Sequence, residues 1–270
     1  MPRKESYWTN RLFIEQAELY AAVLEALKPA GLQDARSIRR IFDDSGVPRT
    51  GRVLDFACGI GRHIVPLVKG GYRGVGADFS PPFVAKAADY ARRARLGPNR
   101  LRFFVADYRV VDRTLRNHNE RPFDAAFSVF TSLGHYGTKG DLTTLRSVRR
   151  VVRPGGVLLI EMANRDWVLR HFERIGSAGI APSVEIRERR RFDWESSTVS
   201  SDWIFYRIRA GRREKALQQE VRVRLYSLHE LKSLVEQAGW RFLKAYGGLD
   251  RSGPLSFESR RLVVVARNGQ

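Results

Sequence analysis

Residues Arg52–His63 read RVLDFACGIGRH, and the order of their side chains implies a strand, a tight turn and a helix. Val53 and Leu54 start an apolar strand that closes on an acid, Asp55. The chain then passes through small residues, Ala57-Cys58-Gly59-Ile60-Gly61, before Arg62–Lys69 takes up a helical pattern. A strand that turns through glycines into a helix leaves backbone N–H groups unpaired where a ligand can meet them. Glycine lets the backbone approach closely and take φ > 0. Alone, the pattern would serve a dinucleotide equally well.

Downstream, apolar runs and helical stretches alternate. A second strand ends on Asp78, 23 positions after Asp55, about the spacing at which a second-strand carboxylate reaches ribose hydroxyls. Strands are expected near 52–57, 73–78, 101–106, 123–130 and 156–163. Helices are expected near 62–70, 81–95 and 141–152. Ser80 before Pro81-Pro82 is a good helix start, and Asp141 is read as another N-cap. Such alternation predicts a parallel sheet covered on both faces.

The strings LDFACGIGRH, GADFSP, VADYR, FDAAFSVFTSLGHY and VVRPGGVLLIEM stand in that order, each at a strand end. In them the chain resembles the class I, Rossmann-like S-adenosylmethionine (SAM)-dependent methyltransferases. The resemblance covers roughly residues 50–165 and resumes at about 226–267. It implies an α/β fold with a seven-stranded, mostly parallel sheet, helices on both faces and an antiparallel last strand. It also implies SAM as cofactor and S-adenosylhomocysteine as product. One departure is Ala57, where the family usually has glycine; its methyl group would narrow the methionine end of the pocket.

Ligands of open α/β sheets bind at the carboxyl ends of the strands, which assigns roles by position. Asp55, Ala57, Gly59 and Gly61 would shape the loop around the methionine moiety, with Asp55 acting through the loop backbone or on the ammonium group. An alternative makes Asp55 a loop-bracing acid. Asp78 would accept from the ribose hydroxyls and Phe79 lie against adenine. Asp107 would accept from the adenine amino group, with Tyr108 beside it. Phe130 and Thr131 would flank the transferring methyl. His135 is the candidate general base, with a reference pKa of about 6.5, and Tyr136 would orient the acceptor. The alternative for His135 is a histidine that only bonds its own loop.

Residues 9–28 have apolar side chains at helical spacing, ended by Lys28-Pro29-Ala30-Gly31, and a second helix is expected over Gln33–Asp44. Tyr7 and Trp8 either touch cofactor or substrate or staple the helix start. Residues 164–226 break the rhythm: a helix over Trp167–Ile175, then strands over Val184–Phe192, Thr198–Arg209 and Lys215–Tyr226. This divides the chain into a methyltransferase domain, 1–163 and 227–270, and an inserted substrate cap, 164–226. Trp194 and Trp203 would wall an apolar acceptor. The alternative use of the insertion is a structural sheet for homodimer contacts. Ser227-Leu228-His229-Glu230 is a capping box, opening a helix that stops at Gly239, before strands Trp240–Tyr246 and Arg261–Ala266.

At 270 residues and 43% apolar content the chain can bury a large single core. No stretch approaches 18 apolar residues, and MPRKESYWTN holds no run suited to a signal peptide, so a cytoplasmic protein without a membrane span is expected. A lone cysteine, Cys58, excludes an internal disulfide framework and a cysteine-based zinc site; no metal is expected. The net charge of +19 invites an anionic partner, yet the 48 basic residues are mostly arginine spread along the whole chain. Three function classes follow. The first is methyl transfer to N or O of a small-molecule acceptor. The second is an RNA or protein methyltransferase using the basic surface. The third is SAM binding without transfer. The second lacks the Asn-Pro-Pro-Tyr or Asp-Pro-Pro-Tyr string after strand four, a second cysteine for attack on pyrimidine C5, and a separate RNA-binding module.

Overall fold

The structure is a computed structural model and describes residues 7–177, 181–251 and 253–269. The reading of residues 1–6, and that of the Tyr7 side chain, lies outside what is described. Seven strands form the main sheet: β1 (Arg52–Asp55), β2 (Arg73–Asp78), β3 (Leu101–Val105), β4 (Phe123–Ser128), β5 (Val152–Ala163), β10 (Trp240–Tyr246) and β11 (Arg261–Asn268). Their order is β10-β11-β5-β4-β1-β2-β3. The pairs β1·β2, β1·β4, β2·β3 and β4·β5 are parallel, and β11 is antiparallel to both β5 and β10.

Alternate residues of each strand feed two cores. Leu54, Leu158, Ile160 and Val264 face α7 (Gly137–Arg149) and α9 (Leu228–Gln237), meeting Leu145, Val148, Leu231 and Leu234. Val53, Phe127, Leu159 and Val263 face the other way, onto Ile38, Ile41 and Phe42 of α3 (Lys28–Asp44) and Leu67 and Val68 of α4 (Ile64–Lys69). A sheet buried on both faces explains why these strands read as continuous apolar runs.

A second, antiparallel sheet of four strands contains β6 (Ile175–Ser177), β7 (Val184–Asp193), β8 (Thr198–Arg209) and β9 (Arg212–Arg224). Val184, Ile186, Phe205, Leu217 and Val221 form its inner face. They share a third core with Leu12, Phe13, Leu19, Val23 and Leu24 of the N-terminal helices. The insertion therefore completes the N-terminal segment rather than standing free of it.

Several local expectations change. The run 9–28 is not one helix: α1 (Tyr7–Asn10) passes into a π-helical turn, Arg11–Glu15, and Gln16 at φ −115 breaks it before α2 (Ala17–Ala26). Lys28-Pro29 starts α3 instead of ending a helix, because proline in a first turn sacrifices no hydrogen bond. Asp141 does not cap α7. It lies inside that helix, wholly buried, accepting from Gly134 N–H at 3.1 Å and from the Tyr226 hydroxyl at 2.6 Å. The helix after β5 is shorter, α8 (Arg165–Arg170), and Ile175 opens β6. A helix after Asp107 is additional, a 3-10 turn at Tyr108–Val110 leading into α6 (Val111–Asn117). Ser80 caps α5 (Pro81–Arg93), accepting from Phe83 N–H, and the Ser227–Glu230 capping box is present.

Candidate active site

The carboxyl ends of β1, β2 and β4 open into a cleft of about 890 Å³, closed from above by the N-terminal helices and the inner face of the second sheet. Ala57, Gly59, Asp78, Phe79, Tyr108, Phe130 and His135 all line it. The volume lies near the top of the roughly 300–1,000 Å³ range of small-molecule sites.

Asp78 ties the glycine-rich turn after β1 to the turn after β2. Its Oδ2 accepts from Gly59 N–H at 2.8 Å and its Oδ1 from Ser80 N–H at 3.0 Å. Gly59 sits at φ +52, a conformation glycine adopts without strain, and a methyl group there would meet only Leu24, at 3.6 Å. Burial pushes the Asp78 carboxyl up to about 6, opposed by the backbone donors. Asp55 lies behind the loop, 1% exposed, with Oδ1 3.4 Å from Ala57 N–H and Oδ2 without a partner. Burial, with Asp78 adding to it, raises its carboxyl to about 8, so Asp55 is neutral at pH 7.

Other assigned residues do not line the cleft. Gly61 serves packing: at φ +79, its added Cβ would press on Ala87 at 3.2 Å and Val65 at 3.3 Å. The Asp107 carboxylate is taken up by Arg109, through Nε at 3.0 Å, Nη2 at 2.5 Å and the backbone N–H at 2.9 Å. Tyr136 stacks under that arginine, its ring centroid 3.9 Å from the guanidinium carbon. Both therefore brace the wall behind Tyr108, whose hydroxyl donates to the Ser132 carbonyl at 3.0 Å.

His135 stands in an aromatic corner, stacked on Phe13 with centroids 5.9 Å apart and edge-on to Trp8 at 5.1 Å. Burial lowers its pKa to about 4, below the free-imidazole value assumed from sequence. It is neutral at pH 7 and a weaker base than expected. Of the two tryptophans assigned to the acceptor wall, Trp203 lines the cleft, whereas Trp194 is 76% exposed and turned away.

Sequence reasoning placed Phe130 and Thr131 at the end of β4 but missed Glu161 and Arg261, which hold them. Phe130 and Thr131 both have positive φ, +68 and +61, strained for non-glycine residues. Glu161 holds that turn: Phe130 N–H donates to its Oε2 at 2.6 Å, and Arg261 pairs with its Oε1. The Thr131 hydroxyl accepts from Ala163 N–H at 2.9 Å and from Arg261 at 3.2 Å. The acid closing the fifth apolar run, in LLIEM, was the available signal.

Comparison with known proteins agrees with this geometry. Residues 53–156 match a methyltransferase-domain family model. A glycine/sarcosine N-methyltransferase from Halorhodospira halochloris is 31% identical over 121 residues, 44% of this chain and 42% of that enzyme. A SAM-dependent methyltransferase from Clostridium acetobutylicum superposes with a TM-score of 0.74 at 15% identity, covering 87% of this chain and 91% of that one. Residues 53–156 carry a methyltransferase domain, and the chain has the fold of the class I, Rossmann-like SAM-dependent methyltransferases. Another methyltransferase of the same fold, the sugar N-methyltransferase KedS8 from Streptoalloteichus, superposes with a TM-score of 0.65 at 20% identity over 88% of this chain and 87% of its own. The chain spans less than half the length of the curated methyltransferases it matches.

Proposed function

We propose that this chain transfers the methyl group of SAM to a nitrogen or oxygen of a small-molecule acceptor by in-line displacement. The observation that carries the reading is Asp78, a buried carboxylate at the end of β2, tied to the Gly59 turn and still facing the cleft. Each of its oxygens keeps a lone pair for a ribose hydroxyl after accepting its backbone N–H. Phe79 and Tyr108, both lining the cleft, give aromatic surface for adenine, and the open space above Gly59 suits the methionine chain. Bound SAM supplies an activated methyl on a sulfonium whose leaving group is a neutral thioether.

What remains for the protein is to align the acceptor and exclude water. The second sheet acts as the cap, with Trp203, Val221 and Val223 on the acceptor side. The names of the relatives, glycine/sarcosine and sugar N-methyltransferases, support a small acceptor. Neutral His135 accepts the acceptor's proton when that acceptor is a hydroxyl or ammonium. Tyr136 and Asp107 act as positioning residues behind the cleft wall.

Calorimetry with S-adenosylhomocysteine tests the reading. Micromolar binding by the wild type is expected, with Asp78→Ala weaker by about 1.5–3 kcal/mol for the lost charged acceptor. In the same preparation His135→Ala should keep that affinity and lose about 10²–10⁴-fold in kcat on a turned-over acceptor. No binding by the wild type, or equal binding by Asp78→Ala, defeats the cofactor assignment.

A further inference from the structure

Residues paired across an antiparallel ladder share a face, so the inner face of the second sheet is built in cross-strand pairs. From inside outward along β7 and β8 these are Ile186–Phe205, Glu188–Trp203, Arg190–Ser201 and Phe192–Val199. The innermost pair is buried against the N-terminal helices. In the middle pairs the charged and hydroxyl groups are spent on one another. Glu188 Oε2 accepts from Ser201 Oγ at 3.1 Å and from Trp203 Nε1 at 3.2 Å, while its Oε1 pairs with Arg190. With its N–H taken, the Trp203 indole offers the cleft carbon surface only. The outermost pair continues that surface: Val199 and Phe172 line the cleft, and Phe192 stands between them, its ring centroid 6.4 Å from that of Phe172. Beyond the strand end Trp194 packs edge-on to Phe192 at 4.9 Å and is 76% exposed. Single exposed apolar residues are ordinary, but aromatic rings leading in line from a cleft to solvent form a binding surface.

We propose that the methyl acceptor has an extended, uncharged aromatic body that lies along this strip, its far end against Phe192 and Trp194 and its reacting nitrogen or oxygen at the His135 end. This deepens the methyl-transfer reading above and rests on it. From the Glu188–Trp203 pair to the Phe192–Val199 pair the strip runs about 13 Å, at roughly 3.3 Å per residue, which is room for several fused or linked rings. An amino acid the size of glycine has no surface to lay there. The occupant is the acceptor rather than a second copy of the chain because the strip is continuous with the cleft through Val199 and Phe172. Flat rings suit it, since edge and face contacts with Phe172, Phe192 and Trp194 add to the apolar area covered.

The test titrates N-phenyl-1-naphthylamine, a neutral aromatic amine whose fluorescence rises on leaving water, into the full chain with and without saturating S-adenosylhomocysteine. Micromolar binding is expected under both conditions. Trp194→Ala and Phe192→Ala should each weaken it by about 3- to 10-fold and leave S-adenosylhomocysteine affinity within about twofold of wild type. Trp194, being exposed, carries the comparison if the Phe192 variant does not fold. Probe affinity unchanged in the variants overturns the proposal, as does preferential methylation of glycine or sarcosine over aromatic amines and phenols. A wild-type dimer that Trp194→Ala dissociates also overturns it, since a second copy then covers the strip. Failure of the wild type to bind S-adenosylhomocysteine strikes the cofactor reading alone; the titration without it still decides whether the strip takes an aromatic ligand.

Discussion

Asp55 closes the first strand, and its carboxyl is held at about 8 by burial, with one oxygen unpartnered. The folded state binds this proton more tightly than the unfolded chain, whose aspartates titrate near 3.9, so its contribution to stability is lost as pH rises from about 4 to about 8. His63 and His135 work in the opposite sense. Their folded values near 4 lie below about 6.5, so they add stability as pH rises through that interval. Asp78 and Asp141, near 6, have mostly titrated by about pH 7. From about pH 7 to 8.5, Asp55 remains as the principal titrating acid. The thermal midpoint of the ligand-free protein should fall over that range, and Asp55→Asn should flatten the slope. A wild-type midpoint that holds or rises there contradicts a protonated Asp55. The residue was visible in RVLDFACG, but its protonation was not, because that depends on how completely the chain closes over it.

At the scale of elements, the loop after β4 is the joint between the main sheet and the insertion. The Gly134 carbonyl accepts from Arg224 N–H at 2.9 Å, while an added Cβ on Gly134, at φ +99, would meet the Arg224 carbonyl oxygen at 2.3 Å. Neither partner is a movable side chain tip. Gly134→Ala should therefore cost about 2–4 kcal/mol in a denaturant titration, through both the clash and the left-handed backbone. A change under about 0.5 kcal/mol would mean that the two sheets are not locked here. Elements set by local signals were legible: the Ser80 and Ser227 caps, and β8 and β10 to the residue. Elements set by distant partners were not. Asp141 looked like an N-cap, since nothing local says that Tyr226, 85 positions on, takes its carboxylate. Lys28-Pro29 looked like a stop because proline punctuates both ends of helices.

For the molecule as a whole, the charge of +19 needs an account. On the outward face of the second sheet much of it is answered locally: Arg191 pairs with Asp202 and Glu220, Arg222 with Glu220, and Arg187 and Arg213 with Glu185. Such interleaving suits a solvated surface better than a groove for phosphates. RNA binding should be weak, without sequence preference, and should fall about 10³–10⁵-fold between 50 and 200 mM salt if 6–10 phosphates are contacted. Tight binding of one RNA at physiological salt, with methyl incorporation into it, would move the acceptor to nucleic acid. Among the described residues no helix is long and apolar enough to cross a membrane.

The sequence by itself determined the alternation of strands and helices, the sheet covered on both faces and the glycine-rich turn. Those follow from hydrophobic period, caps and φ > 0 positions, which act within a few residues of each other. It also located Asp55, Asp78 and Phe130, because strand ends fix where side chains emerge. Only the tertiary structure decided which of them reach the cleft. Arg109 takes the Asp107 carboxylate, packing occupies Gly61, and Arg62, unremarked in the string, is buried with a long ion pair to Asp34 at 3.7 Å. Much of the burial and hydrogen-bond partnership belongs to neighbours that folding brings from far along the chain, as Arg261 comes 130 positions to Thr131.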